Sequence, residues 1–349
     1  MSTGIVRGLL LVAVSSLLAC SGEITGNTGS PDPGGKPDSP GGGSNPGGGS
    51  NPGGGSNPGG GDGAPDLGTV TPPNNGGGPS SVGPAGGSVG LLHFGLVGDT
   101  RPPACEDTAH YPTAVINAIA TEFKNRSAQF VVDLGDHMYV CNNSLSTATT
   151  QMNLYMTATQ MFGGTWFMTE GNHECYGGSC LAGSQNANYL AFMSALAPIS
   201  QSPYYSIDVN TSMGLATIVF IADNSWDSAQ ATWLDQTLAT ADSKATYTIV
   251  VRHHPEGDSS VSTNGDSMTI VRKHKFALFL TGHSHLYKHM TTDNGRDLVM
   301  GNGGAPLIAG GAFFGFAMID QLASGHLQLS VFDLSNSAQP VDVWSVGPN

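Results

Sequence analysis

The chain has 349 residues, of which 50 are Gly and 21 Pro, only 11% are Asp, Glu, Lys or Arg, and the formal net charge is −14. Positions 21–90 hold 26 of the glycines and 12 of the prolines, which leaves residues 91–349 with the ordinary apolar content of one large domain and excludes a collagen-like or wholly disordered chain. The charge divides into −11 on residues 91–349 and −4 on residues 21–90, and no basic window exceeds Arg272, Lys273 and Lys275, which argues against a DNA or RNA partner.

Residues 1–19 carry Arg7 and an apolar run from Leu9 to Leu18, about half of what a bilayer-spanning helix needs, and read as an export signal. The run ends in Leu17-Leu18-Ala19-Cys20, which resembles the bacterial lipoprotein signal. That resemblance implies cleavage before Cys20, lipid on Cys20 and attachment to a membrane; a plain secretory signal is the alternative. In a Gram-negative cell Ser21 fits the outer-membrane sorting pattern. From Gly41 the hexamer Gly-Gly-Gly-Ser-Asn-Pro runs three times to Pro58, and similar composition continues to Gly90. Such a chain has almost nothing to bury, so residues 20–90 are expected to form a coil-like tether spanning about 45 Å on average.

Beyond the tether, strand-like and helix-compatible segments alternate. Strands are expected at Leu91–Val97, Gln129–Leu134, Thr165–Thr169, Leu215–Ile221, Tyr247–Val251 and Phe276–Leu280. Helices are expected at Pro112–Lys124, Met152–Phe162, Asn188–Leu196 and Ala229–Leu238, and residues 297–346 read as further strands with Gly-rich turns. This order predicts an α/β domain of stacked sheets with helices outside.

Five of these strands run into polar segments: Gly98-Asp99-Thr100-Arg101, Gly135-Asp136-His137-Met138-Tyr139, Glu170-Gly171-Asn172-His173-Glu174, Arg252-His253-His254-Pro255 and Thr281-Gly282-His283-Ser284-His285. Metal-competent side chains thus follow the carboxyl ends of strands, where α/β sheets carry their ligand sites. The glycines before Asp99, Asp136, Asn172 and His283 are expected to turn the backbone sharply and aim the next side chain into a shared crevice. Besides Cys20, the chain has Cys105, Cys141, Cys175 and Cys180, an even number that suggests two disulfides in an exported protein, with three possible connectivities. Cys175 with Cys180 would close a short loop, and Cys105 with Cys141 would join two neighbouring loops; thiolate metal ligation is the weaker alternative.

Two Asp, one Asn and three or more His make a mixed oxygen and imidazole set, which suits a pair of Fe, Zn or Mn ions better than Ca or Mg. The ordered motifs Gly-Asp, Gly-Asp-x-x-Tyr, Gly-Asn-His-Glu, His-x-Pro and Gly-His-x-His resemble the calcineurin-like metallophosphoesterases and, within them, the purple acid phosphatases. The resemblance spans residues 91–305. It implies a four-layer α/β/β/α sandwich with two stacked mixed sheets and a dinuclear metal site at the strand carboxyl ends. By position, Asp99, Asp136, Tyr139 and His285 would hold the first metal, expected as Fe(III), with Asp136 bridging to the second. Asn172, His253 and His283 would complete the second site, taking Fe, Zn or Mn(II). His173 corresponds to the family's substrate-facing histidine, and His254, next to a ligand, would contact substrate or a ligand.

One position departs from the family pattern. Most members have Asp-x-His in the first motif, where this chain has Arg101, and the missing histidine coincides with Tyr139. Arg101 would either clamp a substrate phosphate or pair with a ligand carboxylate. The implied reaction is hydrolysis of a small phosphorylated substrate by a hydroxide that the two metals activate, with His173 protonating the leaving oxygen. A phosphomonoesterase is the leading expectation, with a phosphodiesterase and a catalytically silent surface binding protein as alternatives.

Overall fold

The computed structural model describes residues 81–349 except 259, 262 and 263. The expected signal peptide, the lipidation site Cys20 and the tether as far as residue 80 lie outside the described residues. In chain order the elements are β1 (Ser81–Gly83), β2 (Gly86–Ser88), β3 (His93–Val97), α1 (Thr113–Asn125), β4 (Phe130–Asp133), α2 (Leu145–Thr159), β5 (Thr165–Met168), α3 (Ala187–Leu196), β6 (Tyr205–Thr211) and β7 (Gly214–Phe220). There follow α4 (Ser228–Lys244), β8 (Tyr247–Val251), α5 (Asn264–Val271), β9 (Leu278–Thr281), β10 (Tyr287–Met290), β11 (Asp297–Met300), β12 (Gly315–Gln321), β13 (Leu327–Asp333) and β14 (Asp342–Val346).

The strands form two mixed sheets, ordered β1-β2-β6-β7-β8-β9-β11-β10 and β14-β13-β12-β3-β4-β5. Strands β3, β4 and β5 run parallel, as do β7, β8 and β9, so their carboxyl ends, and the loops that follow, leave each sheet on one edge. Alternation along the strands divides the apolar side chains between two faces. Phe94, Leu96, Phe130 and Val132 of one sheet join Ile218, Phe220, Ile249 and Leu280 of the other in a single buried cluster. Val97 and Val131, on the opposite face, pack with Ile119 and Phe123 of α1. Val219, Val250 and Phe279 pack outward against Leu234 and Leu238 of α4 and Val271 of α5. Helix, sheet, sheet, helix is the expected four-layer order. Gly95 in β3 is required by space, because a Cβ there would lie 2.5 Å from the Phe123 ring.

Several elements differ from the sequence expectation. The stretch assigned to the tether up to Gly90 ends in β1 and β2, and β2 pairs in parallel with β6 through Gly86 and Asp208. A Cβ on Gly86 would sit 2.1 Å from the Asp208 carbonyl oxygen, so there glycine permits close strand approach rather than chain freedom. Strand β6 was not anticipated: its sequence alternates buried Tyr205, Ile207 and Val209 with polar residues, a pattern of one wet face that a search for apolar runs passes over. Helix α2 starts at Leu145, earlier than the apolar spacing suggests, because Ser144 caps it by accepting from the Thr147 N–H at 3.3 Å.

Candidate metal centre

Loops after β3, β4 and β5 of one sheet meet loops after β8 and β9 of the other. The glycines act differently from the expectation. Of Gly98, Gly135, Gly171 and Gly282, only Gly135 has a positive φ, at 98°. The left-handed positions fall instead on the functional residues: Asp99 at φ 59°, Asp136 at 62°, His283 at 69° and His285 at 46°. Non-glycine residues in that region carry strain that the surroundings must hold, a pattern typical of sites. The other glycines serve close approach. A Cβ on Gly171 would lie 2.4 Å from Asp136 Oδ1, and one on Gly282 or Gly301 would lie 2.6 or 2.7 Å from Asp99 Oδ2. Gly301 belongs to the late Gly-Asn-Gly-Gly loop, whose Gly303 N–H donates to the Gly98 carbonyl at 2.8 Å.

The sequence-predicted ligands converge in two groups. Carboxylate oxygens of Asp99 and Asp136 and a ring nitrogen of His285 lie within 4.8 Å of one another. In the second group Asn172 Oδ1 is 3.0 Å from His253 Nε2 and 2.8 Å from His283 Nδ1, and those two nitrogens are 3.2 Å apart. Asp136 belongs to both, with its Oδ1 3.4 Å from His253 Nε2. Tyr139 joins through its ring: the Arg101 guanidinium lies 4.7 Å over its face and the His173 ring stands edge-on at 4.2 Å. Arg101 also reaches two ligand atoms, with Nε 3.6 Å from Asp136 Oδ2 and Nη2 3.3 Å from His285 Nε2. His173 donates its backbone N–H to Asp136 Oδ1 at 2.9 Å and holds Nε2 3.8 Å from Oδ2.

Electrostatics follow from dryness and proximity. Burial, reinforced by the charge of Asp136, pushes the Asp99 carboxyl well above the ordinary range. Burial acts the same way on Asp136, but His253, His173 and Arg101 outweigh it and hold Asp136 below the ordinary value. Burial lowers His253 and His285, and burial followed by the charges of His253 and His254 brings His283 down to about 4. His283 is therefore neutral at physiological pH, the form that binds a metal. Burial also lowers His173, against the opposing pull of Asp136.

A buried network that sequence reasoning passed over holds the loops in place. His137 is fully buried between two carboxylates, with Nε2 2.8 Å from Asp133 Oδ1 and Nδ1 3.2 Å from Glu174 Oε1. Burial alone would lower His137, yet Asp133 and then Glu174 push it up to about 10, so it is an imidazolium. Glu174 accepts the backbone N–H groups of Asp136, His137 and Gly171 at 3.0, 2.7 and 2.7 Å. The signal was present in the last letter of Gly-Asn-His-Glu and in the unclaimed histidine after Asp136. The cysteines pair as Cys105–Cys141 and Cys175–Cys180, with Cα separations of 5.6 and 5.5 Å, and the first pair joins the loops after β3 and β4.

The donor set fits a pair of cations. Asp99 Oδ1 is buried without a hydrogen-bond donor, and the second group presents an amide oxygen and two imidazole nitrogens to one point. A positive charge reconciles these acceptors.

A family model described as calcineurin-like phosphoesterase matches residues 92–287, more than half of the chain. Tartrate-resistant acid phosphatase type 5 of Sus scrofa is 25% identical over 256 residues, 61% of this chain and 70% of that protein. Among solved structures, purple acid phosphatase PPD1 from yellow lupin (Lupinus luteus) superposes with a TM-score of 0.55 at 18% identity, covering 73% of this chain and 53% of the lupin chain, so the likeness spans about half of that protein. GAP50 of Plasmodium, described as the anchor in the inner membrane complex, gives a TM-score of 0.56 at 16% identity over 74% of this chain and 89% of that one. The family and the acid phosphatase relative imply a dinuclear metal centre. The chain belongs to the calcineurin-like phosphoesterase family and is a phosphoric ester hydrolase with similarity to an acid phosphatase.

Proposed function

We propose that the protein is a phosphomonoesterase carried on the outer side of a membrane by lipid on Cys20, with Asp99, Asp136, Tyr139 and His285 holding one cation and Asn172, His253 and His283 the other. The observation that carries the two-cation part of this reading is the membership of Asp136 in both ligand groups, from which its carboxylate would serve both cations. Tyr139 favours Fe(III) in the first position, and the nitrogen-rich second group favours Zn, Mn or Fe(II). When bound, the cations lower the pKa of a water and neutralise charge on the phosphoryl oxygens.

The chain's own residues do the rest. Asp136 is fixed by the Gly171 turn and the His173 N–H, so its carboxylate keeps one orientation through turnover. His173, at 7% exposure, borders the ligand groups and is placed to give a proton to the departing oxygen. Its ring is packed between Tyr139 and the parallel face of Tyr176, which restricts the direction of that transfer. Arg101 offers a planar fork beside Asp136, suited to phosphate oxygens.

Similarity to an acid phosphatase supports a monoester substrate. Faster hydrolysis of a chromogenic monoester than of the matching diester tests it, and the reverse order would assign a diesterase. A binding protein without turnover is disfavoured because every ligand position of the motif set is filled; silence on both ester classes despite two bound metals would restore it. Membrane anchoring is tested by expressing the full chain and its Cys20→Ser variant: the first fractionates with membranes, the second is released.

A further inference from the structure

The three histidines assigned to cations share one arrangement. His253 Nδ1 is 2.7 Å from the Leu134 carbonyl, His285 Nδ1 is 2.9 Å from the Pro306 carbonyl, and His283 Nε2 is 3.1 Å from an Asp258 carboxylate oxygen. An oxygen on one ring nitrogen takes the N–H, sets the tautomer, and leaves the lone pair on the nitrogen that faces the cluster. Metal-binding histidines are characteristically supported in this way.

His254 repeats the arrangement. Its Nδ1 lies 3.3 Å from Asp223 Oδ2, and the same oxygen is 3.3 Å from Arg252 Nε, which orients the carboxylate. The ring has no exposure, and its Nε2 is buried without a hydrogen-bond partner. One ring nitrogen from each of His253, His254 and His283 lies within 4.8 Å of the others, and the His254 and His283 ring centroids are 4.4 Å apart. With Nδ1 turned to Asp223, the nitrogen left to serve that cluster is Nε2. A lone pair in a dry site with no donor is unfavourable by itself, and a cation satisfies it.

We propose that His254 is a further nitrogen donor to the second cation, held for that role by Asp223, a position outside the ligand set that the motifs imply. The inference rests on the two-cation reading above. A third imidazole beside those of His253 and His283 biases the second position toward Zn over Mn, since imidazole suits the former and carboxylate or water the latter. His254 acts through the cation and needs no contact with substrate.

The test is metal affinity, read independently of turnover. Metal-stripped wild type, His254→Ala and Asp223→Asn are titrated with Zn alone against a chromophoric chelator, and the thermal midpoint of each is taken with and without Zn. The expected result is two equivalents in the wild type, a second equivalent weakened at least about 100-fold in His254→Ala, and one weakened about 10–100-fold in Asp223→Asn. The Zn-induced rise in thermal midpoint shrinks in His254→Ala, whatever happens to the metal-free midpoint. A second equivalent of wild-type affinity in His254→Ala, or an unchanged Zn-induced rise, overturns the proposal and leaves the two-cation reading standing. A wild type that takes fewer than two equivalents overturns both. If His254→Ala does not fold, X-ray absorption of the dizinc wild type decides: an imidazole count that includes His254 supports the proposal, and one limited to His253, His283 and His285 overturns it.

Discussion

The backbone N–H of His283 donates to Asp99 Oδ2 at 2.8 Å. Asp99 follows β3 in one sheet and His283 follows β9 in the other, 184 positions apart, so this bond fastens the two sheets at the edge where the ligands gather. It also uses one oxygen of Asp99 and leaves Oδ1, 3.4 Å from His285 Nε2, for a cation.

Asn172 contributes the oxygen between His253 and His283. Asn172→Ala removes it without adding bulk and is expected to lower kcat/KM at least about 100-fold, beyond the usual effect of losing a supporting partner of a metal ligand. Elemental analysis of the same sample should show the second metal depleted and the first retained. Full metal content with full activity would remove Asn172 from the site.

On the proposed reading, Tyr139 would select Fe(III) at the first metal position. Wild type purified in air is expected to contain iron and a visible absorption band from phenolate coordination, and Tyr139→Phe to lose the band. A colourless, iron-free, fully active wild type would exclude Fe(III) at this position.

Arg101 sits beside Asp136 Oδ2 and His285 Nε2, where its positive charge opposes a cation and attracts a phosphate. Arg101→Ala is therefore expected to tighten the first metal against a chelator while lowering kcat/KM about 10–100-fold, chiefly through KM, as loss of a hydrogen bond to a charged group does. Arg101→Lys keeps the charge and loses the fork, so it should restore the metal affinity and only part of the KM. Weaker metal binding in Arg101→Ala would instead make Arg101 a support for the Asp136 carboxylate.

His137 ties stability to pH. Its folded pKa of about 10 lies above the ordinary histidine value of about 6.5, so the charged form stabilises the fold. That contribution is complete below about pH 6.5 and is lost as pH rises through about 10. His137→Leu leaves Asp133 and Glu174 without their cation and is expected to cost about 3–5 kcal/mol near pH 6. The gap between wild type and variant in urea unfolding should narrow as pH passes about 10; a constant gap would mean that His137 is neutral.

The order of motifs along this chain already contained the family and the residues that gather at the shared edge. Asp99, Asp136, Asn172, His253, His283 and His285 each follow a strand, and strand carboxyl ends in a layered α/β fold face a common edge, so their meeting was legible from local pattern alone. Long apolar runs marked β7 and β8 for the same local reason, whereas β1, β2 and β6 depend on a neighbour to complete them and became visible only in the assembled sheet. The roles of the glycines were likewise decided by tertiary contact: Gly171 and Gly282 are excluded volumes around Asp136 and Asp99, which no count of neighbours in sequence contains. The charge of His137 and the support of His254 by Asp223 arise from residues that burial brings together, 31 positions apart in the second case, and burial and partner set a side chain's protonation and direction more than its identity does.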